Sequence, residues 1–159
     1  MLKGAIVLTL ATVSHSAAAE VAWSVDANVS HTDNATLAET ATVSDTIASL
    51  GGSLAIEHKG SRLETSLDAR GDYLHYVDDV YDDDFQGHAR GSLLFGIIPG
   101  SLYWAIEDTY GQIAVNQFEP VTPDNRQDVN VLSTGPDFLM RIGRQSALEL
   151  SARYEDVSY

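Results

Sequence analysis

The chain has 159 residues, of which 23 are Asp or Glu and 9 are Lys or Arg, giving a formal net charge of −14. So acidic a chain has no basic patch to neutralise phosphates, which argues against nucleic-acid binding. Cysteine is absent, which excludes a disulfide framework and a thiolate metal site. The length suits a single domain.

The N-terminus has the organisation of a secretory signal. Met1–Lys3 is short and positive, Gly4–Val13 is apolar, and Ala17–Ala19 supplies the small residues that a signal peptidase needs. We therefore predict a signal peptide over residues 1–19, cleavage after Ala19, and a single mature domain over residues 20–159.

The mature region alternates apolar and polar residues with a period of two, which predicts β-strands. In the first segment, for example, Val21, Trp23 and Val25 alternate with Ser24 and Asp26. The predicted strands are Val21–His31, Leu50–His58, Ser61–Tyr76, Phe85–Ile98, Ser101–Gly111, Gln127–Gly143 and Ala147–Tyr159.

Long and short connections alternate between these strands. The predicted loops His31–Ser49, Val77–Asp84 and Gln112–Arg126 are long or polar. The predicted turns are Lys59–Gly60, Pro99–Gly100 and Gly143–Ser146. In the first two, Gly is expected to supply a positive φ. Short turns at one end and longer loops at the other are typical of bacterial outer-membrane barrels.

Gly135 and Pro136 interrupt the sixth predicted strand. The apolar positions are odd before them, at Val129 and Val131, and even after them, from Phe138 onward. One extra residue at a β-bulge produces such a switch, and Gly-Pro suits a bulge. We therefore predict a bulge at this dipeptide.

These features predict an all-β fold, an antiparallel up-and-down transmembrane β-barrel of about seven strands. The strands reach the roughly ten residues of a tilted bilayer crossing. An odd number leaves one edge open, which suggests the N-terminal part of a longer barrel. The alternative divides the sixth strand at Thr134–Asp137 and gives a small closed barrel of about eight. A soluble β-sandwich would also alternate.

In a membrane barrel the apolar face contacts outer-membrane lipid and the charged face lines the interior. The residues predicted to face the lumen are Arg62, Glu64, Asp68, Arg70, Arg90, Glu107 and Arg153.

Three segments, WAIEDTYGQ over 104–112, PDNRQ over 123–127 and STGPD over 133–137, resemble the PEP-CTERM system-associated family of outer-membrane β-barrel proteins. The matching residues are Trp104, Glu107, Asp108, Gly111, Pro123, Asp124, Asn125, Arg126, Asn130, Gly135, Pro136 and Asp137. The resemblance implies a Gram-negative outer-membrane barrel found beside exosortase sorting and exopolysaccharide export systems. Members of the family are longer than this chain, and no catalytic residue is carried over.

Two further segments carry polar side chains that are candidates for a binding or structural role. One is an acidic loop whose carboxylates are candidates for binding a divalent cation or for a cation bridge to lipopolysaccharide, with a solvated loop tip as the alternative. Its members are Asp78, Asp79, Asp82, Asp83 and Asp84. The other is Pro123–Arg126, which either constricts a pore or fixes its loop through Asx hydrogen bonds.

Nothing in the sequence predicts a cofactor. Glu107 and Asp108 are adjacent in a strand and so point to opposite faces, which excludes a catalytic carboxylate pair. His75 and His88 are the remaining candidates for a barrel enzyme acting on lipid or polysaccharide. We expect instead a non-enzymatic outer-membrane pore or scaffold that serves export together with other export proteins. A soluble secreted glycan-binding protein is the other alternative.

Overall fold

The computed structural model describes residues 5–15 and 19–159 and contains one antiparallel sheet in which sequence neighbours pair. Its strands are β1 (Ala5–His15), β2 (Glu20–Thr32), β3 (Asp45–Lys59), β4 (Leu63–Tyr76), β5 (Asp84–Ile98), β6 (Leu102–Ala114), β7 (Arg126–Ile142), β8 (Ser146–Ser151) and β9 (Tyr154–Ser158). A single turn of 3₁₀ helix, Pro123–Asn125, precedes β7. Both β8 and β9 pair with β7.

The all-β, up-and-down prediction is confirmed, with strands that extend further than predicted at the loop end. β3 begins at Asp45 rather than Leu50, and β6 continues to Ala114. The added residues pair in register, as in Thr32 with Asp45 and Ala114 with Arg126. At the start of β3, Asp45, Thr46 and Ser49 are polar and weaken the alternation on which the prediction depended.

The three short turns lie where they were predicted. Gly100 and Gly143 have φ of 80° and 75°, the left-handed conformation that glycine adopts at low cost. Gly60 differs, because it lies in a turn of residues 60–62 without a positive φ; its amide donates to the carbonyl of Leu63 at 2.9 Å. The prediction of a positive φ at Gly60 was therefore wrong.

The predicted bulge at Gly135–Pro136 was also wrong. β7 runs unbroken from Arg126 to Ile142, and its register with β6 does not shift anywhere. The same continuity excludes the alternative in which this segment divides into two strands. A register shift occurs instead in β5, between Gly96 and Ile98 just before the turn.

The interruption lies on the strand opposite Pro136. β8 and β9 pair with β7 in one common register, so they are two halves of one strand broken at Ala152 and Arg153. The amide of Ala152 donates to the Pro136 carbonyl at 3.1 Å. Proline has no N–H to return that bond, so the ladder is broken at this pair.

The predicted signal peptide overlaps β1. Ala5–His15 pairs with β2 over its whole length, from Ala5 opposite Ser30 to His15 opposite Glu20. Residues 1–4 and 16–18, which include the positive segment and most of the small-residue site, lie outside the described residues. Export and cleavage after Ala19 stay predictions.

The sheet has one apolar and one polar face, and its apolar face is exposed. Trp23, Phe95 and Leu150 are each at least 40% exposed. Among the described residues only Tyr76 and Ala105 are buried apolar side chains, so no second layer covers the sheet. The sheet is not closed, since β1 and the β8–β9 strand form its two edges.

The sheet curls toward its polar face. Glu57 on β3 and Arg153 beside β8 border one concavity of about 500 Å³. A flat sheet would separate them by roughly 24 Å, five strand spacings of about 4.8 Å. The polar side chains therefore line the concave surface, as the interior of a barrel segment requires. None of the described residues forms a helix long and apolar enough to cross a membrane.

Candidate functional site

The apolar face forms a band that shifts steadily from strand to strand. On β2 its apolar residues run from Val21 to Val29, centred on Val25, which lies level with Gly87 on β5. On β8 and β9 they run from Leu148 to Tyr154, centred on Ser151, which lies level with Gly96. The centre of the band therefore shifts by nine residues, from the level of Gly87 to that of Gly96, between β2 and the β8–β9 strand. These strands are six steps apart in the sheet, so the shift is about one and a half residues per strand. Such a stagger is the register offset of tilted barrel strands.

Two rows of aromatic side chains border this band. Phe85 and Phe95 stand on the same face of β5, ten residues apart, with Tyr73 opposite Phe85 and Trp104 opposite Phe95. Ten residues span about 33 Å along a strand, or roughly 25 Å of height at a tilt of about 40°. That height is the apolar band of an outer-membrane barrel.

An ion cluster occupies the polar face over β2, β3 and β4. Asp26, Gly51 and Asp72 lie side by side across the three strands. The Arg70 guanidinium bridges the two carboxylates, donating to Asp26 at 3.1 Å and to Asp72 at 2.6 and 2.9 Å. A Cβ at Gly51 would collide with all three charged groups. Glycine thus makes room for an arginine that spans a neighbouring strand.

The other residues predicted to face the lumen are on the same face, with one exception. Arg62 lies in the turn before β4, whereas Glu64, Asp68, Arg90 and Glu107 alternate onto the polar side of their strands. Arg153 lies at the break between β8 and β9, where it hydrogen-bonds to Asp137 on that side. His88 approaches Asp68 at 3.9 Å, and Ser66 hydrogen-bonds to Ser92 at 2.8 Å. Carboxylates outnumber cations on this face.

One of the motif segments, residues 133–137, lies at the ladder break. The Arg153 guanidinium donates to the carbonyls of Ala152 and Pro136 and, at 2.9 Å, to the Asp137 carboxylate. A Cβ at Gly135 would collide with the Ala152 carbonyl oxygen. Gly-Pro-Asp on β7 and Arg153 opposite it therefore act together, with arginine supplying the donor that Pro136 lacks.

Trp104, at the start of another motif segment, is tied to this same region. Its indole N–H donates to the Thr134 hydroxyl at 2.9 Å, and that hydroxyl donates to the Ala105 carbonyl at 3.0 Å. Of the other motif residues, Glu107 lies on the polar face, and Asn130 is paired with Tyr110 and Ser158.

Asn125 organises the loop of residues 115–125. Its side-chain oxygen accepts from the Asn116 amide at 2.7 Å, and its side-chain nitrogen donates to the carbonyls of Asn116 and Pro120, both at 2.9 Å. Pro123 opens the 3₁₀ turn, and Asp124 is exposed in it. The structure therefore shows the loop-fixing role for this segment.

Arg126 and Asp84 form a largely buried ion pair where β5 and β7 meet the loops. Nε of Arg126 has no hydrogen-bond partner among the described groups. The pair joins the last residue of the acidic segment to the last residue of the PDNR segment.

The acidic segment is held by a carboxylate that the sequence did not reveal. Asp45 is fully buried and accepts from the amides of Asp78, at 3.0 Å, and Val80, at 3.3 Å. Edge-to-face packing of Tyr76 on Tyr81 adds a second contact. Within residues 5–15 and 19–159, no three His, Asp or Glu side chains come together in an arrangement that holds a metal ion.

Asp83 contacts two strand residues across the same loop. The hydroxyl of Tyr73 and Nδ1 of His75, the latter at 2.6 Å, both hydrogen-bond to it. These two hydrogen bonds lower the pKa of the Asp83 carboxyl below its ordinary value, and the bond from Tyr73 has the larger effect. His75 therefore has a carboxylate partner, but His88 lies on a different strand, and the two do not form one site.

Glu107 and Asp108 lie on opposite faces, as predicted. Glu107 is level with Ser92 and Ser133 on the polar face, and Asp108 is level with Gly91 and Leu132 on the other. Asp108 lies toward the loop end of the band, two residues before Tyr110.

Sequence reasoning missed Asp26 and Asp45. Asp26 had a signal, since Gly51 and Gly52 mark a strand position where a neighbouring side chain needs room. Asp45 had none, because it lies in a polar stretch that was predicted to be loop.

No protein-family model, curated protein or solved structure matches this chain. The resemblance to PEP-CTERM system-associated proteins remains an expectation from the motif residues.

Proposed function

We propose that this chain is a non-enzymatic β-barrel segment of a bacterial outer membrane, with lipid on its apolar face and water on its polar face. The observation that carries the proposal is the exposed apolar band. In water, exposed apolar patches beyond a few hundred Å² are rare, and a sheet needs a second layer to bury such a face. Lipid supplies that cover.

The stagger and the aromatic rows support the same orientation. Because the strands of a barrel are tilted, each strand crosses the flat hydrocarbon layer at a different position along its length. The apolar residues therefore shift in register from β2 to β9. The shift also explains why Val129 and Val131 are on the polar side of β7 although the strand has no bulge. Val129 and Val131 belong to the loop-end half of β7. In that half, the polar residues Asp128 and Asn130 lie on the same face as Phe138, which is in the turn-end half and belongs to the apolar band.

Closure of the barrel requires more than the described sheet. Unpaired backbone groups at an open edge are costly in hydrocarbon. The edges of the sheet therefore pair with further strands or with a second copy.

The export role rests on the family resemblance. We propose that the barrel serves exopolysaccharide or exosortase-dependent export as a pore or a scaffold. Export through a cleaved signal peptide, and contact with lipopolysaccharide and other export proteins, belong to this proposal.

Cell fractionation tests the membrane assignment. We expect the chain in the outer membrane, resistant to carbonate extraction and released only by detergent. Recovery as a soluble periplasmic protein would contradict it and favour the soluble glycan-binding alternative. In planar bilayers, conductance supports the pore, and insertion without conductance leaves the scaffold.

A further inference from the structure

A second concavity lies on the polar face near the loop end. It has a volume of about 530 Å³ and is lined by Arg70, Asp72, Gln86, His88 and Arg126, with Val121 from the loop of residues 115–125. This loop therefore reaches over the polar face. Asn125 fixes the loop through three hydrogen bonds of 2.7–2.9 Å, so the loop is held in place over the concavity.

The floor of the concavity is open. Gly111 is one of its lining residues, and a Cβ added there would meet nothing within 4 Å. Any larger residue at this position would occupy the space. Gly111 therefore keeps the volume free.

The charged lining groups are already compensated. Arg70 is bonded to Asp26 and Asp72, and Arg126 is paired with Asp84. An anionic ligand would lie beside the aspartates, and a cationic ligand would lie beside the arginines. The local charges thus favour a neutral ligand over either ion.

Two polar side chains in the lining still have hydrogen-bonding groups that a ligand could use. The side chain of Gln86 has no hydrogen-bond partner among the described residues, and the ring of His88 has only its 3.9 Å approach to Asp68. Amide and imidazole groups both donate and accept. A ligand with several neighbouring hydroxyl groups matches them, because hydroxyls also both donate and accept hydrogen bonds.

We infer that this concavity binds an uncharged, polyhydroxylated ligand, such as one unit of a neutral polysaccharide. Gln86 and His88 hydrogen-bond to its hydroxyls, and Val121 covers a C–H face of the ring. The inference rests on the proposed function, because that orientation makes the concave face the aqueous interior through which such a chain would pass.

The test is saturation-transfer NMR on the detergent-solubilised full chain with three probes: a neutral glucose hexasaccharide, an anionic galacturonate hexamer and a cationic glucosamine hexamer. We expect transfer to the neutral probe alone. Binding of a charged probe in preference, or no binding of the neutral probe, would overturn the inference.

Matched variants locate the site. Gln86→Ala should weaken binding about tenfold, the usual loss for one hydrogen-bonding group, and Gln145→Ala in the distant turn should not. Gly111→Leu should abolish binding by filling the space. Gly91→Leu is its control, because Gly91 lies on the apolar face with only ordinary contacts. Equal effects within either pair would contradict the assignment.

The two proposals fail separately. A chain that resists carbonate extraction but binds no neutral probe keeps its membrane assignment and loses the site. A soluble chain that binds the neutral probe and loses it with Gly111→Leu keeps the site and loses the membrane assignment.

Discussion

The two ends of the sheet connect the same strands by different physical means. At the turn end, connections such as residues 99–101 and 143–145 depend on a local backbone preference, the positive φ of Gly100 and Gly143. At the loop end, the acidic segment is held by side chains from distant positions: Asp45 holds residues 78–80, and Arg126 pairs with Asp84. Order in the turns is local in sequence, and order in the acidic segment is not.

This difference decides how much the sequence predicts. The turns and strand centres were found because Gly, Pro and a period of two act within a few residues. The start of β3 at Asp45 was missed, since its role appears only when residues 78–80 are beside it. The bulge was misplaced because Gly135–Pro136 acts on the opposite strand, at Ala152 and Arg153.

The polar face divides in the same way. Alternation alone put Glu64, Asp68 and Arg90 on one side. It did not predict that Arg70 reaches across Gly51 to Asp26, because that requires the register of three strands. The concavity beneath residues 115–125 likewise needed the loop's position.

The largest expected effect is at Asp45. Asp45→Ala removes the fully buried carboxylate that accepts from the amides of Asp78 and Val80, which should lower the free energy of unfolding by about 2–4 kcal/mol. Urea titration of the reconstituted protein, followed by tryptophan fluorescence, measures it. Asp124→Ala, an exposed acid in another loop, should change it by less than about 0.5 kcal/mol. Similar values for the two variants would show that Asp45 does not hold the acidic segment.

A glycine pair tests the ladder break. Gly135→Ala forces a methyl group against the Ala152 carbonyl and should cost about 1–3 kcal/mol. Gly111→Ala meets open space and should be nearly neutral. Equal stabilities in the same urea titration would show that β7 and Ala152 do not approach as described.

Asn125 tests the order of a single loop. Asn125→Ala removes three short hydrogen bonds, so the Asn116 amide should exchange with solvent about tenfold faster, with global stability little changed. Gln117→Ala, an exposed neighbour, is the control. Unchanged exchange in the Asn125 variant would mean that other contacts hold the loop.

The smallest effect concerns pH. Because the pKa of Asp83 is lowered in the folded state, its contribution is present above the ordinary carboxyl value of about 3.9. It is lost as the pH falls below that value, through the folded pKa. Tyr73→Phe should move the Asp83 midpoint upward in an NMR titration, and Tyr81→Phe should not. A midpoint insensitive to both would contradict the Tyr73 contact.

The orientation of the apolar band is tested most directly by its own two tryptophans, Trp23 and Trp104, both 40% exposed on that face. Single-tryptophan proteins, Trp23→Phe and Trp104→Phe, are reconstituted in vesicles whose acyl chains carry bromine. We predict that the bromolipid quenches both tryptophans and that aqueous iodide reaches neither. Quenching by iodide with no effect of bromolipid would place the band in water and contradict the account.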